Sequence, residues 1–360
     1  MLKQLKRARD RFFGIGEADT SVPVLDGPLK PNHLLEEAAV FFETDHLEDL
    51  CVTADDQLVV ASGASMLVLD EAGKAQAIAT LDQPIQALAV CRNGLVAATS
   101  NTLHFIGGSL GGKQYRLPDA SFVGCINAVC EHPDGSIVVS EGSSRHEYGQ
   151  WSRDLLSDGN SGRVLQYFPE RNELKVLRQG LRFAYGVLVD SRGAIFTSES
   201  WAHRIVEVGQ AGVRGVYQDL PGYPARLTRA RAGGYWLAVF APRNQLVEFV
   251  LRETGFKKAM MEQVEPNYWI APALHSGNDF FEPMQQGGVR QMGILKPWAP
   301  ARSYGLVVRL DADFQPQYSL HSRVGGLHHG VTAVTEYRGM LLVLSKGAGR
   351  VLHLPLSDVQ

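Results

Sequence analysis

The chain has 360 residues, of which 45% are hydrophobic and 20% are charged, a composition typical of a soluble globular protein. Lys and Arg number 35 against 38 Asp and Glu, which gives a formal net charge of −3. This balance excludes the strongly basic surface that is typical of proteins that bind nucleic acid or anionic membranes.

The N-terminal 16 residues are basic, with Lys3, Lys6, Arg7, Arg9 and Arg11. They lack the apolar run of a signal peptide, and no stretch of about 18 apolar residues exists that could span a bilayer. We therefore expect a solvated N-terminal extension over residues 1–30 and no integral membrane segment.

One pattern recurs along the rest of the chain: a hydrophobic strand, a tight polar or Gly turn, and a second hydrophobic strand that ends in small residues. Its six copies are Leu50–Gly63, Leu88–Ser100, Ala128–Gly142, Val187–Ser200, Leu227–Phe240 and Thr332–Ser345. A repeat of about 40 residues built from a few strands is typical of a β-propeller, because no single copy can bury its own apolar face. We predict an all-β fold, a six-bladed β-propeller over residues 31–360.

Further apolar segments after these copies predict the outer strands of each blade. They are Met66–Asp70, Asn101–Gly107, Gly162–Tyr167, Leu174–Arg178, Arg204–Val208, Gly215–Asp219, Ser303–Leu310, Gln317–Ser322 and Arg350–Leu356. The segment Glu36–Glu43 precedes the first copy. We expect it to form the outermost strand of the last blade, so that the two ends of the chain close the ring and leave no open sheet edge.

A long segment, about residues 252–302, interrupts the fifth repeat. It begins with a helical pattern and contains Tyr268, Trp269, Phe280, Phe281 and Trp298, too many aromatic residues for a disordered loop. Two interpretations remain open for it: a packed side flap or dimer contact, and a lid over the mouth of the central tunnel.

Sequence motifs for known reactions are weak. The GGSLG stretch at Gly107–Gly111 has the spacing of a lipase-type serine motif but joins two outer strands without a following helix, so a hairpin turn is predicted. There is no HExxH motif and no P-loop. His328 and His329 are adjacent, and adjacent strand residues point to opposite faces, which disfavours a shared metal ion with His321. Cys51, Cys91, Cys125 and Cys130 form no CxxC pair, and we expect a reduced, cytoplasmic protein.

Three stretches resemble the strictosidine synthase-like family, which includes arylesterase-like plasma-membrane proteins. They are Ser140–Val189, Asp219–Val239 and Ser303–Ser322. More distantly, His46–Gly63 is similar to the opening blade of paraoxonase-type calcium lactonases, and the gluconolactonase-type proteins belong to the same wider group. The resemblance covers roughly residues 30–356 and implies the six-bladed fold more specifically than any reaction.

The resemblance also implies positions for a metal site. The calcium relatives hold the ion with a Glu, two Asn and an Asp, often with a further Asn, and Glu48 and Asn127 stand at the first two of these positions. Tyr185 replaces the second Asn, and Ala225 and Arg226 replace the Asp-Asn pair. Since a hard cation needs an oxygen cage, we expect no metal and no other cofactor, and we expect Arg226 to pair with Glu48 instead.

Strictosidine synthase itself uses a glutamate near the start of the last inner strand. The equivalent stretch Gly325–Thr335 contains no carboxylate, and His328, His329 or Thr332 stand about there. A histidine can act as acid or base near neutral pH. The condensation reaction of that enzyme is not implied without its glutamate.

We predict a small-molecule pocket at the tunnel mouth. Its predicted catalytic residues are His329, Glu48 and Arg226, and its predicted substrate-binding residues are Asn127, Tyr185, His328 and Trp269. The first functional hypothesis is a metal-independent hydrolase of lactones or esters, with Arg226 stabilising an oxyanion and His329 or Glu48 acting as base. The alternatives are amine–aldehyde condensation that forms a C–C or C–N bond, and non-catalytic binding of a small molecule. The oligomeric state is left open.

Overall fold

A computed structural model describes residues 22–359, apart from residues 93, 120, 122, 210, 284–287, 292–293 and 298–300, and it gives no side-chain detail over residues 284–300. The basic N-terminal segment and Trp298 therefore lie outside the described residues. No described helix is both long enough and apolar enough to cross a membrane.

Six antiparallel sheets of four strands make up the propeller, each with one strand at the axis and one at the rim. The first strand of the described residues is β1 (Ala39–Glu43). Blades 1 to 3 then hold β2 (Leu47–Val52), β3 (Leu58–Ser62), β4 (Ser65–Leu69), β5 (Ala75–Thr80); β6 (Ala87–Cys91), β7 (Gly94–Thr99), β8 (Thr102–Ile106), β9 (Gln114–Arg116); and β10 (Ile126–Glu131), β11 (Ile137–Glu141), β12 (Gly162–Phe168), β13 (Glu173–Leu181).

Blades 4 to 6 continue this arrangement. They hold β14 (Ala184–Val189), β15 (Ile195–Glu199), β16 (Arg204–Gly209), β17 (Gly212–Tyr217); β18 (Gly222–Arg229), β19 (Tyr235–Pro242), β22 (Gly305–Leu310), β23 (Pro316–Ser322); and β24 (Val331–Tyr337), β25 (Met340–Ser345), β26 (Arg350–Pro355). Each of the six predicted strand pairs supplies the inner two strands of one blade, so the predicted six-bladed fold is confirmed. The outermost strands β5 and β9 were not predicted.

The ring closes as predicted. Strand β1 pairs antiparallel with β26, with Ala39 opposite His353 and Val40 opposite Leu352, and it is the fourth strand of blade 6. The chain just before β1 also packs on the ring: Leu29 is buried in the apolar cluster between blades 4 and 5, and the Ser319 hydroxyl donates to the Pro28 carbonyl at 3.0 Å. Part of the predicted extension, residues 1–30, is therefore attached to the propeller.

Aspartate side chains shape several of the turns between strands. The Asp190 carboxylate accepts hydrogen bonds from the backbone N–H groups of Arg192 and Ala194, both at 2.8 Å. Gly193 follows in the left-handed region with φ +85°. An Asx turn of this kind reverses the chain within a few residues, because the side chain replaces a backbone acceptor and Gly adopts positive φ without strain. Asp70 and Asp311 make equivalent pairs of bonds.

The inner strands begin with a β-bulge in five of the six described blades. The strand register shifts at Glu48, Asn127, Tyr185–Gly186, Ala225–Arg226 and Thr332, whereas the β6–β7 pair of blade 2 shows no shift. A bulge places two residues opposite one, which re-aims a side chain out of the normal alternation. The positions at which the resemblance placed a metal site are thus bulge positions at one end of the ring.

The insertion of blade 5 spans residues 243–304, between β19 and β22. Helix α1 (Trp151–Leu156) lies in blade 3, and the insertion adds α2 (Gln245–Val250), α3 (Thr254–Gln263) and a hairpin of β20 (Gly288–Gln291) with β21 (Ile294–Pro297). The Asn244 side chain caps α2 by accepting from the Val247 N–H at 2.8 Å. Helix α3 matches the predicted helical start, and the buried Trp269 packs in a small cluster with Met260, Val250 and Leu156 of α1.

We expect Gly186→Ala to destabilise the ring. A Cβ at Gly186 would lie 2.5 Å from the Ala225 carbonyl oxygen and 2.8 Å from the Arg226 Cα, where blades 4 and 5 meet. Because both contacts are backbone, the strands must separate, at a cost of about 1–3 kcal/mol. Denaturant unfolding measures the change. Gly255→Ala is the matched control, since nothing lies within 4 Å of its Cβ; equal effects of the two substitutions would contradict this packing.

Candidate functional site

An aromatic-lined cavity of about 520 Å³ lies where the bulged inner strands begin. This volume is within the range of small-molecule sites. The cavity is lined by His46, Glu48, Gly63, Pro84, Ile85, Asn127, Tyr148, Gly149, Trp151, Phe183, Tyr185, Phe240, Leu274 and Lys346. Three of the predicted site residues, Glu48, Asn127 and Tyr185, are among them. We call this space the aromatic cavity.

One polar cluster interrupts the apolar wall. Lys346 Nζ lies 2.7 Å from each carboxylate oxygen of Glu48 and 3.1 Å from the Tyr148 hydroxyl, and the Tyr148 hydroxyl also donates to Glu48. The ammonium lies 4.6 Å from the centre of the Tyr148 ring. The side chains of Lys346 and Glu48 are only 21% and 12% exposed. These contacts are charge-assisted and partly withdrawn from water, which strengthens them.

Three different blades position this cluster. The bulge at Glu48 opens β2, and Lys346 follows the end of β25, where its N–H donates to the Gly330 carbonyl at 2.9 Å. Tyr148 comes from the segment between β11 and β12, which contains α1. Asp154 fixes that segment, because its buried carboxylate accepts from the Trp201 indole N–H at 2.8 Å. Burial raises the pKa of Tyr148 well above its ordinary value, and the Glu48 charge acts in the same direction.

Arg226 lies beneath the aromatic cavity and does not line it. Its Nη1 donates to the Glu48 carbonyl at 3.0 Å, its Nη2 donates to the Gln86 carbonyl at 2.8 Å, and its Nε lies 3.2 Å from a carboxylate oxygen of Asp49. The expected pair with the Glu48 carboxylate is therefore replaced by a pair with Asp49. The bulge explains this difference, because it lets neighbouring residues 48 and 49 engage separate partners near the axis.

The predicted binding residues Asn127 and Tyr185 are held by contacts with neighbouring blades. Asn127 is 1% exposed and its Nδ2 donates to the Ala184 carbonyl at 2.8 Å. The Tyr185 ring packs 5.7 Å from the Phe240 ring, with the Arg226 guanidinium 5.6 Å from its centre. Burial raises the pKa of Tyr185, so its hydroxyl stays protonated. Both residues form rigid parts of the cavity wall.

His329 is fully buried and does not line the aromatic cavity. Its Nε2 donates to the Arg323 carbonyl at 2.9 Å, so its Nδ1 is the acceptor for the Ser303 hydroxyl at 2.7 Å. Burial lowers the pKa of His329 to about 4. Both ring nitrogens are thus engaged within the protein, and the imidazole does not face the cavity as a base. Its carbonyl accepts from Ser345, beside Lys346, at 2.6 Å.

The other two predicted binding residues also lie away from the cavity. His328 is 4% exposed, and its N–H donates to the Ser322 hydroxyl. Trp269 is 1% exposed, donates to the Val264 carbonyl at 2.8 Å and packs within the insertion. Leu274 is the described insertion residue that lines the aromatic cavity. The insertion thus contributes to the wall through Leu274, while its buried Val250, Met260 and Trp269 cluster with Leu156 of α1.

The residues at the ring axis do not fit the calcium cage of the distant relatives. Glu48 already has an ammonium on both carboxylate oxygens, and the Arg226 guanidinium fills the space next to Asp49. Two cations at these positions repel a third. Among the described residues, no group of three or more His, Cys, Asp or Glu side chains is arranged to hold a metal ion.

Sequence reasoning missed Lys346 and Tyr148. Lys346 had a signal, since it directly follows the sixth copy of the repeat, at the strand end where the other copies are followed by an uncharged residue. Tyr148 had none, because it comes from the connection between β11 and β12, whose path depends on α1. A loop of this kind is placed by tertiary contacts such as the Asp154–Trp201 bond.

Comparison with known proteins supports the resemblance. A family model described as "Strictosidine synthase" matches residues 127–207. The adipocyte plasma membrane-associated protein of Salmo salar is 26% identical over 94% of this chain and 82% of its own length. Protein strictosidine synthase-like 10 of Arabidopsis thaliana is 27% identical over 35% of each chain.

Solved structures share the fold. A presumed gluconolactonase superposes with a TM-score of 0.53 at 13% identity, covering 89% of this chain and 91% of its own. A luciferin-regenerating enzyme gives a TM-score of 0.52 at 12% identity, with 88% and 92% covered. At such low identity these likenesses show the propeller fold and carry no reaction with them.

We expect Arg226→Met to destabilise the protein by about 3–5 kcal/mol, because it leaves the Asp49 carboxylate, 3% exposed, without its cation. Burial raises the pKa of Asp49 to about 6, so the group is ionised at pH 7.5. Adding Asp49→Asn should restore part of the loss in a double-mutant cycle read by urea unfolding. Arg350→Met, which removes the ion pair with the exposed Glu43, should cost less than about 1 kcal/mol. Equal losses of unfolding free energy in Arg226→Met and Arg350→Met would contradict the stabilising role of Arg226 at the ring axis.

Buried His329 predicts a loss of stability in mild acid. Its folded-state pKa of about 4 lies below the ordinary 6.5, so the unfolded chain takes up a proton between these values that the folded chain does not. The neutral His329 side chain therefore contributes fully to the free energy of unfolding above pH 6.5. This contribution falls as the pH drops to about 4, by about 1.4 kcal/mol per pH unit. His329→Gln should reduce the slope of unfolding free energy against pH, whereas His33→Gln at an exposed site should not. An unchanged slope in His329→Gln would contradict the prediction.

Proposed function

We propose that this six-bladed β-propeller, which is similar to proteins of the strictosidine synthase-like group, is a metal-independent hydrolase of small, largely apolar esters or lactones. The reaction takes place at Glu48, Lys346 and Tyr148 in the aromatic cavity. The observation that carries the proposal is this cluster itself, which places a carboxylate, an ammonium and a phenol within hydrogen-bond distance of one another on an otherwise apolar wall.

Each member of the cluster has a role that its chemistry supports. Glu48 acts as general base and takes a proton from water as the water oxygen attacks the substrate carbonyl carbon. The Lys346 ammonium and the Tyr148 hydroxyl donate to the oxyanion that forms. Glu48 then returns the proton to the departing alkoxide as the C–O bond breaks, giving acid and alcohol. No metal or organic cofactor takes part.

Arg226 and His329 act behind the reacting groups in this proposal. The Arg226 guanidinium holds the Glu48 carbonyl and the neighbouring Asp49, so it fixes the strand end that carries the base. The His329 carbonyl holds Ser345, next to Lys346. The oxyanion role that the sequence suggested for Arg226 passes to Lys346, because Lys346 faces the cavity.

One observation favours non-catalytic binding as a second candidate. The three groups of the cluster satisfy one another, so an apolar ligand could occupy the cavity without disturbing them. Amine–aldehyde condensation has less support, since Lys346 contacts both oxygens of Glu48 and is not offered as a free amine. We keep the cytoplasmic location as a proposal; the four cysteines form no disulfide among the described residues.

The test is hydrolysis of a panel of aryl esters, alkyl esters and γ- and δ-lactones, with and without a chelator. Turnover should be insensitive to the chelator. Glu48→Gln should lower kcat/KM by about 100-fold or more, Lys346→Met by about 100-fold, and Tyr148→Phe by about tenfold or more. Glu43→Gln and Arg350→Met are matched controls, because they change an ion pair of the outer rim and should leave kcat/KM unchanged.

Two results would contradict the proposal. The first is turnover that is lost with the chelator and restored by calcium. The second is hydrolysis that Glu48→Gln leaves intact. If no ester or lactone is hydrolysed while aromatic ligands bind in calorimetry, non-catalytic binding replaces hydrolysis as the function of the cavity.

A further inference from the structure

A second cavity shares a wall with the aromatic cavity. It has a volume of about 450 Å³ and is lined by Glu48, Gln83, Pro84, Ile85, Gln86, Ser100, Val123, Gly124, Glu147, Tyr148 and Gly149. Five of these residues, Glu48, Pro84, Ile85, Tyr148 and Gly149, also line the aromatic cavity. The proposed base and its phenol partner therefore stand on the boundary between the two spaces. We call the second space the outer groove.

The two spaces differ in the chemistry of their walls. The aromatic cavity presents the rings of Trp151, Phe183, Tyr185 and Phe240, whereas the outer groove presents amide, hydroxyl and carboxylate side chains. An aromatic ligand group gains binding free energy when it is buried against rings. A polar group loses less hydration free energy where water and hydrogen-bonding groups remain. The walls thus favour a ligand with two unlike ends.

Charge distinguishes the spaces further. Lys346 lines the aromatic cavity and does not line the outer groove. Among the described residues that line the groove are the carboxylates of Glu48 and Glu147, and none of these described residues is Lys, Arg or His. Glu48 has Lys346 as its partner, and Glu147 is exposed. Glu147 therefore adds a carboxylate to the groove beyond the Glu48–Lys346 pair, and this charge favours a positively charged group.

We propose that the two spaces form one bipartite site for esters that join an aromatic acid to an alcohol bearing an ammonium group. The aromatic acyl group occupies the aromatic cavity, the cation lies in the outer groove near Glu147, and the ester carbonyl lies at the Glu48–Tyr148 boundary. The position of the carbonyl rests on the proposed hydrolysis, whereas the two subsites rest on the cavities alone. Water adds to the carbonyl carbon and the amino alcohol leaves with the proton returned by Glu48.

The volume of the aromatic cavity sets the size of the acyl group. A cavity of about 150 Å³ holds one benzene molecule, and the aromatic cavity is more than three times as large. A bicyclic ring such as naphthyl therefore fits. The outer groove, at about 450 Å³, has room for a trimethylammonioethyl group.

The binding test uses uncleavable ethers, so that it does not depend on turnover. Naphthylmethyl ethers that end in trimethylammonioethyl, in its neutral isostere 3,3-dimethylbutyl, and in carboxymethyl are titrated by calorimetry at low salt. We expect the cation to bind about three- to fivefold tighter than the neutral isostere, and the anion to bind weakest. Replacing naphthylmethyl by methyl should weaken binding by at least about tenfold.

A matched pair of variants assigns the charge preference. Glu147→Gln should remove most of the preference for the cation and leave the affinity of the neutral ether unchanged. Glu170→Gln removes an exposed carboxylate that lines neither cavity. It should change neither the preference for the cation nor the affinity of the neutral ether. A cation preference that is absent, or that survives Glu147→Gln, would overturn the proposal, as would equal affinity of the methyl and naphthylmethyl ethers.

Hydrolysis of the matching naphthoate esters separates this inference from the proposed function. If the ethers bind with the expected preference and none of the esters is cleaved, the bipartite site stands and the hydrolase proposal fails. If the esters are cleaved at rates that ignore the charge of the alcohol and the ethers show no cation preference, the hydrolase proposal stands and the bipartite site is wrong.

Discussion

The Arg226 guanidinium is the interaction on which the geometry of the site depends. It reaches from blade 5 to the Glu48 and Gln86 carbonyls and to the Asp49 carboxylate at the start of blades 1 and 2. Asp49 in turn accepts from the Leu88 N–H of blade 2 at 2.8 Å and from the Leu50 N–H at 2.9 Å. The apolar contacts between blades are non-directional and do not by themselves fix how the strand ends are oriented. Directional, charge-assisted bonds at the axis therefore fix the strand ends against one another.

This arrangement has a cost that the bulges make tolerable. Burying an arginine and an aspartate together is not in itself stabilising, because both lose their hydration. Every further acceptor and donor supplied by the strand ends offsets part of that loss. The bulge at Glu48 exposes a backbone carbonyl near the axis that a regular strand would use in its ladder, and Arg226 binds it. The second carbonyl that Arg226 binds is that of Gln86, just before β6. Bulge and guanidinium thus support one another.

The sequence predicted the ring well, for reasons that are local. Alternating apolar residues and Gly or Asp turns identify each inner strand pair, since the turn chemistry and the strand period need only a few neighbouring residues. The closing strand was also predictable, because Glu36–Glu43 is an apolar segment without a partner of its own. Strands β5 (Ala75–Thr80) and β9 (Gln114–Arg116) were missed because they are largely exposed and carry little apolar pattern.

The site was predictable only in part. The resemblance to the calcium relatives assigned Glu48, Asn127 and Tyr185 to one site, and the structure places all three in the lining of one cavity. The partner of Arg226 was not predictable. Normal strand alternation places residues 48 and 49 on opposite faces, and no feature of the sequence indicates the bulge that changes this arrangement. The position of His329 was not predictable either. Its ring nitrogens are bound by Ser303 and by the carbonyl of Arg323, and the loops that supply these partners are placed by the tertiary fold.

The closed state of the Glu48–Lys346–Tyr148 cluster bears on what the site can bind. With the three groups paired, a ligand that offers only apolar surface gains from the rings and leaves the pairs intact. A ligand that offers a neutral carbonyl must compete with a carboxylate for the same ammonium and phenol, and a neutral acceptor is the weaker partner. An oxyanion competes on nearly equal terms, because it carries full charge. In the proposed hydrolysis, this difference is what lets the cluster bind the charged, transient form of a substrate in preference to its ground state, as a catalytic site requires.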